Sequence, residues 1–402
     1  MDTQLKTRRV MGFPANVFFL GLVSFFTDVS SEMIFTLVPL FLSNVLGVAA
    51  GVVGIVGGVS ESTDAIFRIF SGRISDRLRK RKLPAVLGYS LSTLAKPFMY
   101  IAGGWGAVLA VRFGDRVGKG IRSAPRDALI ADSVPPGEWG RGFGLHRAMD
   151  TSGAVLGLVL AAIIIYLVQR GGVALSLATY RWLVLVGVVP AVLGVVVLLT
   201  LVKEVTRERS VAKIGGVPKA VTPFPRRFKL FLGVIAVFTL GNSSDFFVIL
   251  RAQDLGAPVL QITLMLVLLN LSYAVCALPA GVVSDRMGRK GVIILGWGIY
   301  ALVYLGFAAA GSIGQVWLLF AAYGLYYGIV EGTARAFVAD LVPEERRGTA
   351  YGYFQGVVGL ALLPASLIAG WLWDAVSPAA PFYLGAGLAF LAAMGLLGLV
   401  RE

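Results

Sequence analysis

Cysteine and histidine are nearly absent from these 402 residues, with one of each, Cys276 and His146. A lone cysteine cannot close an internal disulfide. One Cys with one His leaves no set for a structural metal site, so neither metal nor cofactor is expected. Charge is scarce as well. Asp, Glu, Lys and Arg make up 14% of the chain, where a soluble domain carries about 25%. The hydrophobic share is 57% and the mean hydropathy +0.81. Too few charges remain to coat a soluble 42.6 kDa globule, and too much apolar surface is present for a disordered chain. A bilayer is the solvent that fits. Acidic residues are the scarcer sign, 22 against 36 Lys and Arg, for a formal charge of +14. In a soluble chain that imbalance would raise nucleic-acid binding. Here the question is where the positive charges sit.

A spanning helix needs about 20 mostly apolar residues. Twelve such runs can be counted: 16–38, 49–71, 84–103, 105–131, 146–168, 180–202, 229–250, 259–282, 291–310, 314–339, 351–373 and 380–400. The apolar residues are continuous and not alternating, which excludes transmembrane strands. No small-residue cleavage site follows the first run, so it reads as a retained span. The basic residues orient the set. With the N-terminus in the cytoplasm, 24 of the 36 fall in cytoplasmic segments, eight of them between Lys203 and Lys229. The opposite side holds only Arg170, Arg181 and Arg251. The asymmetry predicts that both termini are cytoplasmic, and it makes the basic charge an orientation signal with no nucleic-acid partner.

The chain repeats itself. Phe19-Leu20-Gly21, Phe26-Thr27 and Ser30-Ser31-Glu32 return as Phe231-Leu232-Gly233, Phe238-Thr239 and Ser243-Ser244-Asp245. Gly72-x-x-Ser75-Asp76-Arg77 returns as Gly281-x-x-Ser284-Asp285-Arg286, and Ala131-Asp132-Ser133-Val134-Pro135 as Ala339-Asp340-Leu341-Val342-Pro343. Three landmarks in one order, offset by 208 to 213 positions, predict two six-helix halves. The expected organisation is an N-terminal bundle over 1–202, a cytoplasmic linker over 203–228 and a C-terminal bundle over 229–402. Parallel repeats of this kind are a transporter architecture, with the substrate site between the halves near mid-membrane.

These features resemble the major facilitator superfamily of secondary transporters. The loop motif Gly-x-x-x-Asp-Arg-x-Gly-Arg-Lys is complete at Gly281, Asp285, Arg286, Gly288, Arg289 and Lys290. In the first copy, at Gly72, Asp76 and Arg77, Arg79 replaces the second glycine. The fourth run resembles the family's second motif in placing Arg112 twenty residues before Asp132, with Arg116 where glycine is usual. The fifth run has Gly153-x-x-x-Gly157-Leu158, without the proline that marks the antiporter branch. The resemblance implies an all-α membrane protein of twelve transmembrane helices in two pseudo-symmetric bundles. It also implies a monomer in a cell membrane of bacterial inner-membrane type, surrounded by lipid. In the family, the loop motif acts as a conformational latch, which assigns that role here to Gly72, Asp76, Arg77, Gly281, Asp285 and Arg286.

Charges inside hydrocarbon cost about 2.5–3.5 kcal/mol each on insertion scales, so most face a cavity or a partner. They crowd the first half: Asp28, Glu32, Glu61, Asp64, Arg112, Asp115 and Arg116 are the candidates for proton coupling and the central cavity. Asp28 and Glu32 share one helix face, as do Arg112 and Arg116. A carboxylate facing an arginine can hold its charge or release it on protonation, and Asp28 with Arg112 is the expected core of coupling. Mutual neutralisation of buried pairs is the plainer alternative. For substrate, Arg112 and Arg116 join Asn270, Tyr273, Tyr327 and Glu331, whose rings and hydroxyls offer apolar area with a few aimed hydrogen bonds.

Two enzyme motifs fail on inspection. Gly114 to Gly120 has three residues between glycines where a phosphate loop needs four, and His146-x-x-x-Asp150 has no companion ligand. The expectation is a transporter and not an enzyme. It moves a small molecule and protons by alternating access, with export slightly preferred. Uptake of an anionic metabolite or metal chelate by proton symport is the alternative, and a polytopic membrane enzyme or sensor the outside one.

Overall fold

The computed structural model describes residues 9–78, 80–134, 139–205, 223–343 and 346–399. The side chains of residue 69, residues 72–78, residues 139–140, residue 278 and residue 399 are outside that description. A two-stranded antiparallel hairpin, β1 (Arg9–Val10) and β2 (Phe13–Pro14), precedes a chain built of helices. The first seven helices are α1 (Ala15–Phe35), α2 (Val38–Leu40), α3 (Ala50–Leu78), α4 (Lys82–Ala95), α5 (Trp105–Ser133), α6 (Trp139–Gln169) and α7 (Leu177–Thr200). Then come α8 (Arg226–Gly241), α9 (Phe246–Asp254), α10 (Val259–Met287), α11 (Arg289–Ala309), α12 (Ile313–Leu341), α13 (Arg347–Ala375) and α14 (Ala380–Leu399). A π-helical turn, Phe41–Val45, extends α2, and a 3₁₀ turn, Lys96–Tyr100, follows α4.

Among the described residues, nine helical stretches are long and apolar enough to cross a membrane. The runs predicted over 49–71, 84–103 and 105–131 are helical but fall outside that set. Charged side chains dilute the hydropathy of α3 and α5, and α4 spans only 14 residues before Pro97 tightens it into the 3₁₀ turn. The outward faces are apolar: Val189, Leu193 and Val196 of α7, Leu295 and Leu302 of α11, and Phe390 and Leu391 of α14 are all exposed. With backbone hydrogen bonds closed inside each helix, this surface suits lipid, and the protein is a multi-pass membrane protein.

Charged helices are placed inward by close packing of small residues. Helix α1 lies against α6 and α7, α3 against α5, and α10 against α12. A Cβ at Gly153 would come within 2.4 Å of the Phe25 carbonyl oxygen, so α6 approaches the α1 backbone as only glycine permits. The first seven helices meet the last seven chiefly where α3 crosses α13 and α6 crosses α10, with smaller contacts of α2 and α3 against α9. On the first, a Cβ at Gly359 would lie 2.0 Å from that of Ala65, and Ser62 donates to the Gly359 carbonyl at 2.6 Å.

The end of the bundle that carries the α1–α3 and α13–α14 connections is tied shut. The Asp374 carboxylate accepts the backbone N–H groups of Ala50 and Gly51 at 3.1 and 2.7 Å, capping α3 from the end of α13. Val259 N–H donates to the Val173 carbonyl at 3.0 Å, and Gln253 hydrogen-bonds Asn44.

Candidate functional site

Between the two sets of helices lies a cavity of about 610 Å³, within the range of small-molecule sites. Six basic and seven acidic side chains line it, a formal charge of −1. Every cavity and substrate candidate predicted from the sequence is on its wall: Asp28, Glu32, Glu61, Asp64, Arg112, Asp115, Arg116, Asn270, Tyr273, Tyr327 and Glu331.

The basic wall is one face of α5. Arg112, Arg116, Lys119 and Arg122 recur at spacings of four, three and three, which superimposes them along a helix. Arg112 is 1% exposed. Its guanidinium stacks on the Phe35 ring at 4.6 Å and stands 5.8 Å from that of Phe246, the first residue of α9. Its nearest acid is Asp115 at 3.8 Å, and its Nε and Nη1 have no hydrogen-bond partner among the described residues. Arg116 pairs with Glu61 at 3.0 Å and Arg68 with Asp64 at 2.8 Å, while Asp115 accepts the Ser92 hydroxyl. Asp28 and Arg112 line the same cavity without pairing.

Asp28 instead has Asp150 of α6 as its acidic neighbour. Asp150 also accepts the Ser24 hydroxyl at 3.0 Å and faces Arg147 at 3.3 Å. Arg147, which sequence reasoning passes over as one more basic residue of its helix, bridges the two sets of helices. Its guanidinium lies 3.3 Å from Glu331 of α12, donates to the Tyr273 hydroxyl of α10 and packs over the Tyr273 ring at 5.4 Å. Tyr273 donates in turn to Glu331 at 2.9 Å, and Arg335 holds the other Glu331 oxygen at 2.9 Å. A continuous polar chain therefore runs from α1 through α6 to α10 and α12. The separation of 184 residues between Arg147 and Glu331 hides it from any local pattern.

The opposite wall is built around a helix break. The run predicted as continuous over 229–250 divides at Asn242–Asp245, where α8 stops and α9 starts. Asp245 projects from the break and accepts the Tyr323 hydroxyl at 2.8 Å and that of Tyr327 at 3.0 and 3.1 Å. Glu32 accepts the Thr36 hydroxyl, and Asn270 donates to the Leu266 carbonyl of its own helix at 2.9 Å.

The side chains of the predicted latch residues Gly72, Asp76 and Arg77 lie outside the described residues. In the second copy, nothing among the described residues lies within 4 Å of where a Cβ of Gly281 would stand. Asp285 lies 3.5 Å from Arg289, which binds Asp340 at 2.7 Å and braces α10 and α11 against α12.

The fold and the sequence pattern recur in known proteins. The sequence profile of the Major Facilitator Superfamily matches residues 20–251 and 230–402. An uncharacterised MFS-type transporter of Methanocaldococcus jannaschii is 40% identical over 395 residues, covering 95% of this chain and 94% of the relative. The quinolone resistance protein NorA of Staphylococcus aureus is 23% identical over 150 residues, 37% of this chain and 38% of NorA. The crystal structure of a D-xylose–proton symporter superposes with a TM-score of 0.75 over 96% of this chain and 97% of that one, at 16% identity. The chain belongs to the major facilitator superfamily of transporters.

Proposed function

We propose that the protein is a proton-coupled secondary transporter that carries a small molecule across a bacterial-type inner membrane by alternating access, with export preferred. In this reading twelve helices span the bilayer in two bundles, 1–202 and 229–402, joined by a cytoplasmic linker over 203–228, and both termini are cytoplasmic. The tied end with Asp374 then faces outward, and the cavity opens toward the cytoplasm.

The observation that carries the reading is the Arg147 bridge, which links Asp150, the neighbour of Asp28, to Glu331 of the other set of helices. Two neighbouring carboxyl groups repel each other when both are ionised, and a proton taken up by either relieves that repulsion. Arg147 stands at 3.3 Å from both Asp150 and Glu331, so the charge on the Asp pair decides which acid holds it. With the proton bound, Asp150 pulls less and Arg147 draws α12 toward α6. With the proton gone, Arg147 returns to its own helix and the link between the bundles weakens. Proton binding and the approach of the halves are joined by one side chain.

Cysteines beside Asp28 and Asn270, placed in a Cys276→Ala background and reconstituted in proteoliposomes, test the reading. Their labelling from the two sides is expected to alternate with an imposed pH gradient, and Asp28→Asn or Asp150→Asn to abolish the pH dependence. Unchanged pH dependence in both variants would refute the coupling assignment. A second reading, proton symport of an anionic substrate, draws support from N–H groups of Arg112, Arg116 and Arg122 that have no hydrogen-bond partner among the described residues. Opposite substrate directions in inside-acid and outside-acid vesicles separate the two.

A further inference from the structure

The acids of the cavity differ in what holds them. Glu61 and Asp64 each face an arginine, Glu331 faces two, and Asp115 lies beside Arg112. Asp245 pairs with no basic side chain among the described residues. Its carboxylate is held by neutral donors alone, the hydroxyls of Tyr323 and Tyr327. The residue itself is exposed to the cavity, although it lies deep in the bundle at a break in a spanning segment. A carboxylate in such a place is costly without a counter-charge, and it is kept where a function uses it. The surroundings are aromatic. Tyr323 and Tyr327 meet edge to face at 5.0 Å, Tyr326 stacks behind Tyr323, and Phe246 and Phe320 complete the lining nearby.

We propose that Asp245, with the rings and hydroxyls of Tyr323 and Tyr327, is the anchor for the positively charged group of an organic cation carried by this protein. The inference rests on the transport reading and adds to it the chemical class of the substrate. The carboxylate supplies the missing counter-charge, and ring faces beside it attract a cation while accepting its apolar substituents. The two tyrosine hydroxyls hold the carboxylate, and Asp245 remains exposed on the cavity wall.

Tetraphenylphosphonium and tetraphenylborate have one shape and opposite charge, which makes them the probes. Their binding to the purified full chain in lipid nanodiscs is measured by equilibrium dialysis, with empty nanodiscs subtracted. Saturable phosphonium binding is expected, weakened tenfold or more by Asp245→Asn, less by Tyr327→Phe, and largely retained by Asp245→Glu. Should Asp245→Asn fail to fold, Tyr327→Phe and Asp245→Glu still separate the outcomes, because one removes a hydroxyl and the other keeps the charge. Phosphonium binding equal to wild type in Asp245→Asn and Tyr327→Phe overturns the proposal. So does saturable borate binding with none of phosphonium. Cysteine labelling on reconstituted protein distinguishes the two levels. Asp245-dependent phosphonium binding without alternating labelling leaves the site standing and removes transport; alternating labelling without Asp245 dependence removes the site alone.

Discussion

Glu331→Gln tests whether the Arg147 bridge holds the two bundles together at the cavity mouth. The change keeps the size of the side chain and removes its charge. At the 3.3 Å separation of Arg147 and Glu331, Coulomb's law gives about 5 kcal/mol at an effective dielectric of 20 and about 1.3 kcal/mol in water. The side chains are 51% and 32% exposed, so the water limit is nearer, and ordering two flexible side chains offsets part of the gain. About 1 kcal/mol remains, a shift of roughly fivefold in the balance of open and closed forms. Spin labels at Gly144 of α6 and Val283 of α10, both exposed, report that balance as two distance populations in pulsed electron paramagnetic resonance. Glu331→Gln is expected to raise the longer-distance population about fivefold, at a pH where wild type shows both. Arg147→Gln should do the same, and the double variant should add less than the sum of the singles by about 1 kcal/mol. Additive effects would mean that the two residues are neighbours without being coupled, and the bridge would be discarded.

Other consequences are simpler to check. Asp374→Asn removes the charge from the cap on α3 and is expected to shift the equilibrium by about 1 kcal/mol toward opening of that end, read as faster labelling of a cysteine at Val48; unchanged labelling would remove Asp374 from the closure. Gly153→Ala puts a methyl where 2.4 Å is available against the Phe25 carbonyl and should cost about 1–3 kcal/mol, seen as a lower melting temperature in detergent. A variant that melts with wild type would show that α1 and α6 separate freely. Arg116→Gln leaves Glu61 without its arginine at 3.0 Å, and should lower both thermal stability and gradient-driven uptake or efflux. Restoration by Glu61→Gln in the same chain is expected for stability but not for transport.

Apolar length is a local property, which is why the helical membrane-protein class can be read from the chain. Arg112, Arg116 and Asp28 stand out because a charge within hydrocarbon is conspicuous wherever it points. Their partners are not legible. Pairing depends on how far each helix is rotated and how deep it sits, and both follow from distant packing, such as Gly153 on Phe25. Hence sequence reasoning matches Asp28 with Arg112, while the fold sets it against Asp150 and lays Arg112 on Phe35. The division at Asn242–Asp245 does leave a trace, four polar residues in a row within an apolar run, but a count of span length passes over it. Arg147 leaves none, because a basic residue early in a helix looks like an orientation signal.

In the proposed alternating-access cycle, the crossing of α3 and α13 is a lever on a fulcrum. Ala65 and Gly359 touch partway along both helices, and the Asp374 cap grips one arm well away from that point, at the first residues of α3. A load on the arm changes which way the lever rests, whereas roughness at the fulcrum changes how easily it turns. Bulk at position 359 should therefore slow exchange in both directions by similar factors, and loss of the Asp374 carboxylate should speed opening at its end more than it alters closing. The geometry separates bias from friction, and it assigns each to its own residue.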